Sequence, residues 1–248
     1  MRILILGGTT QASLLARAVA ARDDLAPILS LAGRTQNPLP APIPSRSGGF
    51  GGVEGLVRFL RAENIDAVID ATHPFAAQMS AHARQACMQA QVPLLVFSRP
   101  AWEPDQGDDW TEVASMDEAV ATLGKSPRRV FLTQGRLQLA AFAAAPQHFY
   151  LVRAIDEPEE LALLPNHQFI SARGPFALED ELTLMRMQAI ETLVSKNSGG
   201  EATAAKLVAA RILKIPVIMV ARPSAADAAE AFKLADVLAW IEAHRPAP

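Results

Sequence analysis

Residues 92–100 read VPLLVFSRP and residues 215–223 read IPVIMVARP, an apolar run closed by Arg-Pro and repeated at an offset of 123. A second pair, SRSGGF (45–50) and SARGPF (171–176), stands at an offset of 126. A weaker third pairs ILILGG (3–8) with VFLTQG (130–135). Three matches in the same order imply one supersecondary unit used twice. Short β-type runs near 3–6, 27–31, 43–47, 66–70, 93–97, 111–114, 129–133, 149–153, 168–172, 191–195 and 216–220 alternate with helical patterns such as 52–63, 75–91, 136–145, 178–189 and 201–213. Strands spaced by helices predict βαβ units and parallel pairing. The expected fold is therefore α/β: two related Rossmann-like halves with mostly parallel sheets facing a shared cleft. Ligands of such sheets sit beyond the carboxyl ends of the strands. The polar, turn-rich EPDQGDDW (103–110) marks the join, giving an N-terminal half at 1–100, a linker at 101–115 and a C-terminal half at 116–248.

Four strand-end segments carry the candidate chemistry. GGTTQA (7–12) follows the first strand and opens a helix. Against the dinucleotide pattern G-x-G-x-x-G, Gly7 takes the first place, Thr9 replaces the second glycine and Ala12 fills the third. Gly7 and Gly8 permit a tight turn and close backbone approach, and the Thr9 and Thr10 hydroxyls could bond a phosphate. A plain strand–helix turn is the alternative. After the second strand, SLAGRT (30–35) carries Arg34 where an NAD site would carry an acid, and no acid occurs between Leu25 and Val53. A guanidinium suits a 2′-phosphate, so the pattern favours NADP over NAD; a solvated loop arginine is the alternative.

DATHPFA (70–76) ends a third strand. The residue before Pro74 is extended, which holds His73 off the helix that follows. A capping histidine, and an Asp70 that simply ends its strand, are the other readings. SKNSGGEATAAK (195–206) is its counterpart in the repeat, with a helix expected from about Glu201. Its exposed amides with Lys196 form an anion site, unless Asn197 or Ser198 is only an N-cap.

Other classes are disfavoured. The net charge of -3 does not suggest a nucleic-acid partner. The five scattered histidines and the absence of H-E-x-x-H argue against a metal site. G-x-x-x-x-G-K-[ST] and G-x-S-x-G do not occur. The lone Tyr150 has Ala154 four residues on, not the lysine of a short-chain dehydrogenase. Glu179, Asp180 and Glu181 fall in the first turn of a helix, where the macrodipole accounts for them. One cysteine, Cys87, and no apolar run near the ~20 residues of a membrane helix lead us to expect a cytoplasmic protein without membrane or nucleic-acid partners.

Taken together, ILILGGTTQA, SLAGRT, GGFGG, DATHPFA, RGPF, SKNSGG and IPVIMVARP resemble the precorrin-6A reductases of cobalamin biosynthesis, in order from residue 3 to about 223. The resemblance implies NADPH-dependent reduction of one double bond of the precorrin-6A macrocycle, giving precorrin-6B. The cobalt-precorrin-6A reductases of the anaerobic pathway share these motifs. The strand-end residues, taken with that resemblance, lead us to expect a division of roles. NADPH lies on Gly7, Gly8, Thr9, Thr10, Gln11 and Ala12, with Arg34 at its 2′-phosphate, in the N-terminal half. The polycarboxylate tetrapyrrole meets Thr72, His73, Phe75, Arg173, Lys196, Asn197, Ser198, Gly199, Gly200 and Lys206, with the C-terminal half as its main holder. His73 is the candidate proton donor by residue type, with water as the alternative. No metal is expected, and a monomer is. A non-catalytic two-lobed anion-binding protein and an NADP reductase of a smaller substrate remain as alternatives.

Overall fold

The computed structural model describes residues 1–33, 40–133, 136–223 and 228–246. Its first strand, β1 (Arg2–Leu6), shows how the sequence builds the sheet. Ile3 and Ile5 face one side, packing with Leu15, Ala16 and Val19 of helix α1 (Thr10–Val19). Leu4 and Leu6 face the other, packing with Leu56, Val57 and Leu60 of α2 (Gly52–Ala62). A strand buried on both faces needs a continuous apolar run, not an alternating one. The remaining elements of this region are β2 (Ala26–Leu31), β3 (Ser45–Ser47), β4 (Ala67–Asp70), α3 (Ala77–Ala90) and β5 (Leu94–Phe97).

The pattern then recurs. After β6 (Trp110–Val113) and α4 (Met116–Leu123) come β7 (Arg129–Leu132), β8 (Phe149–Ala154), β9 (His167–Ser171), α5 (Leu178–Met187), β10 (Thr192–Lys196), α6 (Ala205–Leu213) and β11 (Val217–Val220). The chain closes with β12 (Ala229–Ala231) and α7 (Leu234–Ala243). Two six-stranded sheets result, in the orders β12-β5-β4-β1-β2-β3 and β6-β11-β10-β7-β8-β9. Each neighbouring pair runs parallel. Strand for strand the orders correspond, so the two Rossmann-like halves expected from the repeat are present.

The partition of the chain differs from the expected one. One compact unit comprises 1–100 with 223–248, the other 101–222. β6, expected inside a linker, pairs with β11 from Trp110↔Val217 to Val113↔Val220. β12, where no strand was expected and whose residues fall in the expected C-terminal half, pairs with β5 at Ala229↔Leu95, Glu230↔Val96 and Ala231↔Phe97. β6 and β12 thus take the same place in their sheets, and each sits in the unit that the strand just before it in the chain does not belong to. The cause is burial: Val237 and Ile241 of α7 share a cluster with Leu95, Phe97, Ile3 and Ile5.

Residues Arg136–Ala144, inside the helical pattern expected over 136–145, form a 3-10 helix. The buried Leu139, Phe142 and Ala145 recur every third residue, the period of that tighter helix. The helix expected from Glu201 begins at Ala205, after a 3-10 turn at Glu201–Thr203. Among the described residues no helix is long and apolar enough to cross a membrane.

Candidate functional site

The carboxyl end of β1 runs into the glycine turn. Gly7 donates its amide to Ser30 O at 2.9 Å, which fixes the turn beside β2. Gly8 has φ +114°, and a Cβ there would meet nothing within 4 Å. The turn is thus reserved for glycine and open above, the cradle that a phosphate needs at a helix start. Thr9 caps α1: its Oγ1 accepts from Ala12 N at 3.2 Å and donates to Ala71 O at 2.7 Å. That hydrogen is therefore committed inside the fold, as are the amides of Gly7 and Ala12, which leaves the amides of residues 8–11 to face a ligand. Thr10 is exposed, and Ala12 is buried beneath the turn. Gln11 Oε1 accepts from Arg99 Nη1 at 3.0 Å, which brings the end of β5 to the same turn. Arg34 lies outside the described residues.

The Thr9–Ala71 bond joins this turn to the end of β4. There Asp70, buried, accepts from Thr72 N (3.0 Å), Thr72 Oγ1 (2.6 Å) and Ser80 Oγ (2.6 Å). Asp70 therefore shapes the whole loop, and Thr72 spends its hydroxyl on it. His73 O accepts from Ala76 N at 2.7 Å, closing a turn with Pro74 in its second place. His73 is exposed, and its Nδ1 accepts from Phe75 N at 3.2 Å. A neutral imidazole that accepts at Nδ1 carries its proton on Nε2. The His73 and Phe75 rings lie 5.9 Å apart.

In the other unit, β10 ends at Lys196, which is half-buried, and desolvation lowers its pKa to about 8. The loop beyond it is built on Trp102. Asn197 Oδ1 accepts from Trp102 N (2.7 Å), Asn197 Nδ2 donates to Trp102 O (2.9 Å), and Trp102 Nε1 donates to Gly200 O (3.1 Å). Arg222 donates to Asn197 O at 2.7 Å and to Ser198 O at 3.0 Å. Gly199 and Gly200 have φ +68° and +85°. Lys206 is buried, its Nζ 5.2 Å from the Trp102 ring centre. Arg173 is exposed on the loop after β9, and Phe176 N on that loop donates to Ala202 O at 3.2 Å. The structure thus brings Arg173, Lys196, Asn197, Ser198, Gly199, Gly200 and Lys206 to one end of one sheet. The amides of 197–200 are not the opening turn of α6, because the 3-10 turn intervenes.

The precorrin-6x reductase CbiJ/CobK family matches residues 2–242. The chain belongs to this precorrin-6x reductase family. It is 47% identical over 247 residues to the precorrin-6A reductase of Rhodobacter capsulatus, covering 100% of this chain and 98% of that one. It is 50% identical over 226 residues to the precorrin-6A reductase of Sinorhizobium sp, covering 91% and 87%. A solved structure titled CobK precorrin-6A reductase superposes with a TM-score of 0.94 at 46% identity, over 100% of this chain and 98% of that one.

Within this reductase family member, sequence reasoning passed over residues that the structure makes central. Trp102 lay inside the expected linker. Arg99 and Arg222 are the two arginines of the repeated Arg-Pro, and each reaches a turn at the carboxyl end of its own sheet; the repeat itself was the available signal. Arg46, on β3 opposite Ser30, was hidden because no spacing rule marks it.

Proposed function

We propose that the chain catalyses the NADPH-dependent reduction of precorrin-6A to precorrin-6B in cobalamin biosynthesis, in the cytoplasm. The observation that carries the reading is the glycine turn before α1, open at Gly8, in a chain that matches a reductase family over residues 2–242. The cofactor supplies a hydride when bound. The amides of Gly8, Thr9, Thr10 and Gln11, between the bonded amides of Gly7 and Ala12, suit its pyrophosphate. The lack of any acid from Leu25 to Val53 suits a 2′-phosphate, for which Arg34 is a ligand.

Arg173, Lys196, Lys206 and the amides of Gly199 and Gly200 suit the carboxylates of a tetrapyrrole, whereas the amides of Asn197 and Ser198 are given to Val220 O (2.8 Å) and Lys196 O (2.7 Å). Lys196 offers charge with a thin water shell, so little desolvation remains to be paid on binding. Phe75 offers an aromatic face. Positioning does most of the catalytic work in hydride transfer, so no nucleophile is required. The proton that accompanies the hydride comes from His73 Nε2, or from water in its place.

Anaerobic turnover with precorrin-6A and NADPH tests this. NADPH absorbance should fall one-for-one with conversion of the macrocycle. Binding of either compound without turnover would favour the anion-binding alternative, and turnover of the cobalt complex alone would move the substrate to the anaerobic pathway.

A further inference from the structure

Arg46 sits one strand away from the glycine turn, through bonds that fix its position. Gly7 N donates to Ser30 O at 2.9 Å, and Ser30 Oγ accepts from Arg46 Nη1 at 2.7 Å. Arg46 Nη1 also donates to Gly48 O (3.0 Å) and Nη2 to Gly49 O (3.1 Å). The guanidinium lies 4.1 Å over the Phe50 ring and 5.4 Å from that of Phe59. Every one of these partners is neutral. Among the described residues no carboxylate pairs with Arg46, and its Nε–H and one Nη2–H have no acceptor. A rigid, half-buried guanidinium therefore keeps its whole charge, and part of its donor set, at the level of the glycine turn.

The other unit supplies an internal control. Arg153 of β8, the strand that matches β2, lies 3.7 Å over Phe176, the residue that matches Phe50 in the SRSGGF/SARGPF repeat. Yet Arg153 is paired through both amino groups with both oxygens of Glu181, and both side chains are buried. The same aromatic seat thus holds a neutralised guanidinium in one unit and an uncompensated one in the other. Burial economy would favour neutralising both; a cation left open beside a phosphate turn fits a ligand's anion.

We infer that Arg46 is a ligand of the cofactor's adenosine 2′-phosphate and sets the preference for NADPH over NADH. The inference rests on the cofactor reading above, and goes beyond it in placing the specificity on β3 and not solely on Arg34. A neighbouring close approach is consistent: a Cβ at Gly33 would lie 3.1 Å from Ser47 Oγ and 3.4 Å from Gly48 N, so the chain leaving β2 runs against the chain leaving β3.

The test is calorimetric titration of wild type, Arg46→Met, Arg46→Lys and Arg34→Ala with adenosine 2′,5′-bisphosphate and with adenosine 5′-monophosphate, each protein checked by its melting temperature. Wild type should prefer the bisphosphate. Arg46→Met should weaken it by roughly ten- to hundredfold, the worth of a charge-assisted contact, with the monophosphate changed by no more than about threefold. Arg46→Lys keeps the charge without the fork and should fall between, which also covers the case of a poorly folded Arg46→Met. If both Arg46 variants keep the wild-type preference, or only Arg34→Ala removes it, the inference is overturned while the cofactor reading stands. A folded wild type that binds neither fragment, and not NADPH, overturns both.

Discussion

Lys196 ends β10 half-buried, and the loss of water around its ammonium pulls the pKa from 10.5 to about 8. The side chain is then cationic below about pH 8 and neutral above it, while substrate carboxylates stay ionised throughout. If Lys196 holds one of them, KM for the tetrapyrrole should be flat up to about pH 8 and rise beyond it, approaching tenfold per pH unit. Lys196→Arg, charged to far higher pH, should abolish the rise. Lys196→Met should raise KM already at pH 7, without a step. Stability moves in the opposite sense. Between about 8 and 10.5 the unfolded chain holds a proton on this lysine that the folded chain has lost, so stability increases with pH in that window. A KM profile for wild type that matches that of Lys196→Met would remove Lys196 from the substrate site.

At the scale of elements, α5 shows what can and cannot be read from a chain. Glu179, Asp180 and Glu181 stand together in its first turn, and the helix dipole explains acids there equally well for all three. The structure separates them: Glu179 and Asp180 are exposed, whereas Glu181 is 1% exposed and bound to Arg153. Nothing local in the sequence marks Glu181, because its partner lies 28 residues away on strand β8. We expect Glu181→Gln to cost about 3–5 kcal/mol by leaving Arg153 charged and uncompensated in the core. Glu179→Gln should cost under about 1 kcal/mol. Urea unfolding of the two variants checks the contrast, and equal losses would contradict it. The central strands were legible for the converse reason: β1, β4, β7 and β11 are continuous apolar runs, with Arg2, Asp70 and Arg129 only at strand ends, because both faces are covered. Residues 136–145 were legible as helical, and the three-residue spacing of the buried Leu139, Phe142 and Ala145 fits the 3-10 helix that forms. At the site, glycine turns and the THPF and KNSGG segments were legible as strand ends. The fastening of 197–200 to Trp102 was not, since it joins residues 95 apart.

For the whole molecule, the repeat announced two halves but not where to cut them. A tandem repeat suggests that each half is continuous, and β12, reading AEA, has no β-branched or aromatic residue to betray a strand. Its place follows from what the first unit lacks. Without residues 223–248, β5 becomes an open edge, and Leu95 and Phe97 lose the cover of Val237 and Ile241. Full burial of an aliphatic side chain is worth about 1.5–3 kcal/mol, so these two alone contribute roughly 3–6 kcal/mol, against a typical domain stability of about 5–15 kcal/mol. The ion pairs between Arg22 and Glu242 and between Asp24 and Arg245, all exposed, add little to that sum. A fragment of residues 101–222 contains all six strands of its sheet and should melt cooperatively. Residues 1–100 alone should aggregate or fail to melt cooperatively, and should recover when 223–248 is co-expressed. Residues 116–248, the half suggested by the repeat, lack β6 and carry β12 without its partner, so they should not fold. Differential scanning calorimetry of the three fragments decides. A cooperative transition in 116–248 but not in 101–222 would mean that each half folds on its own strands, and that the edge pairings of β6 and β12 are not what stabilises the units.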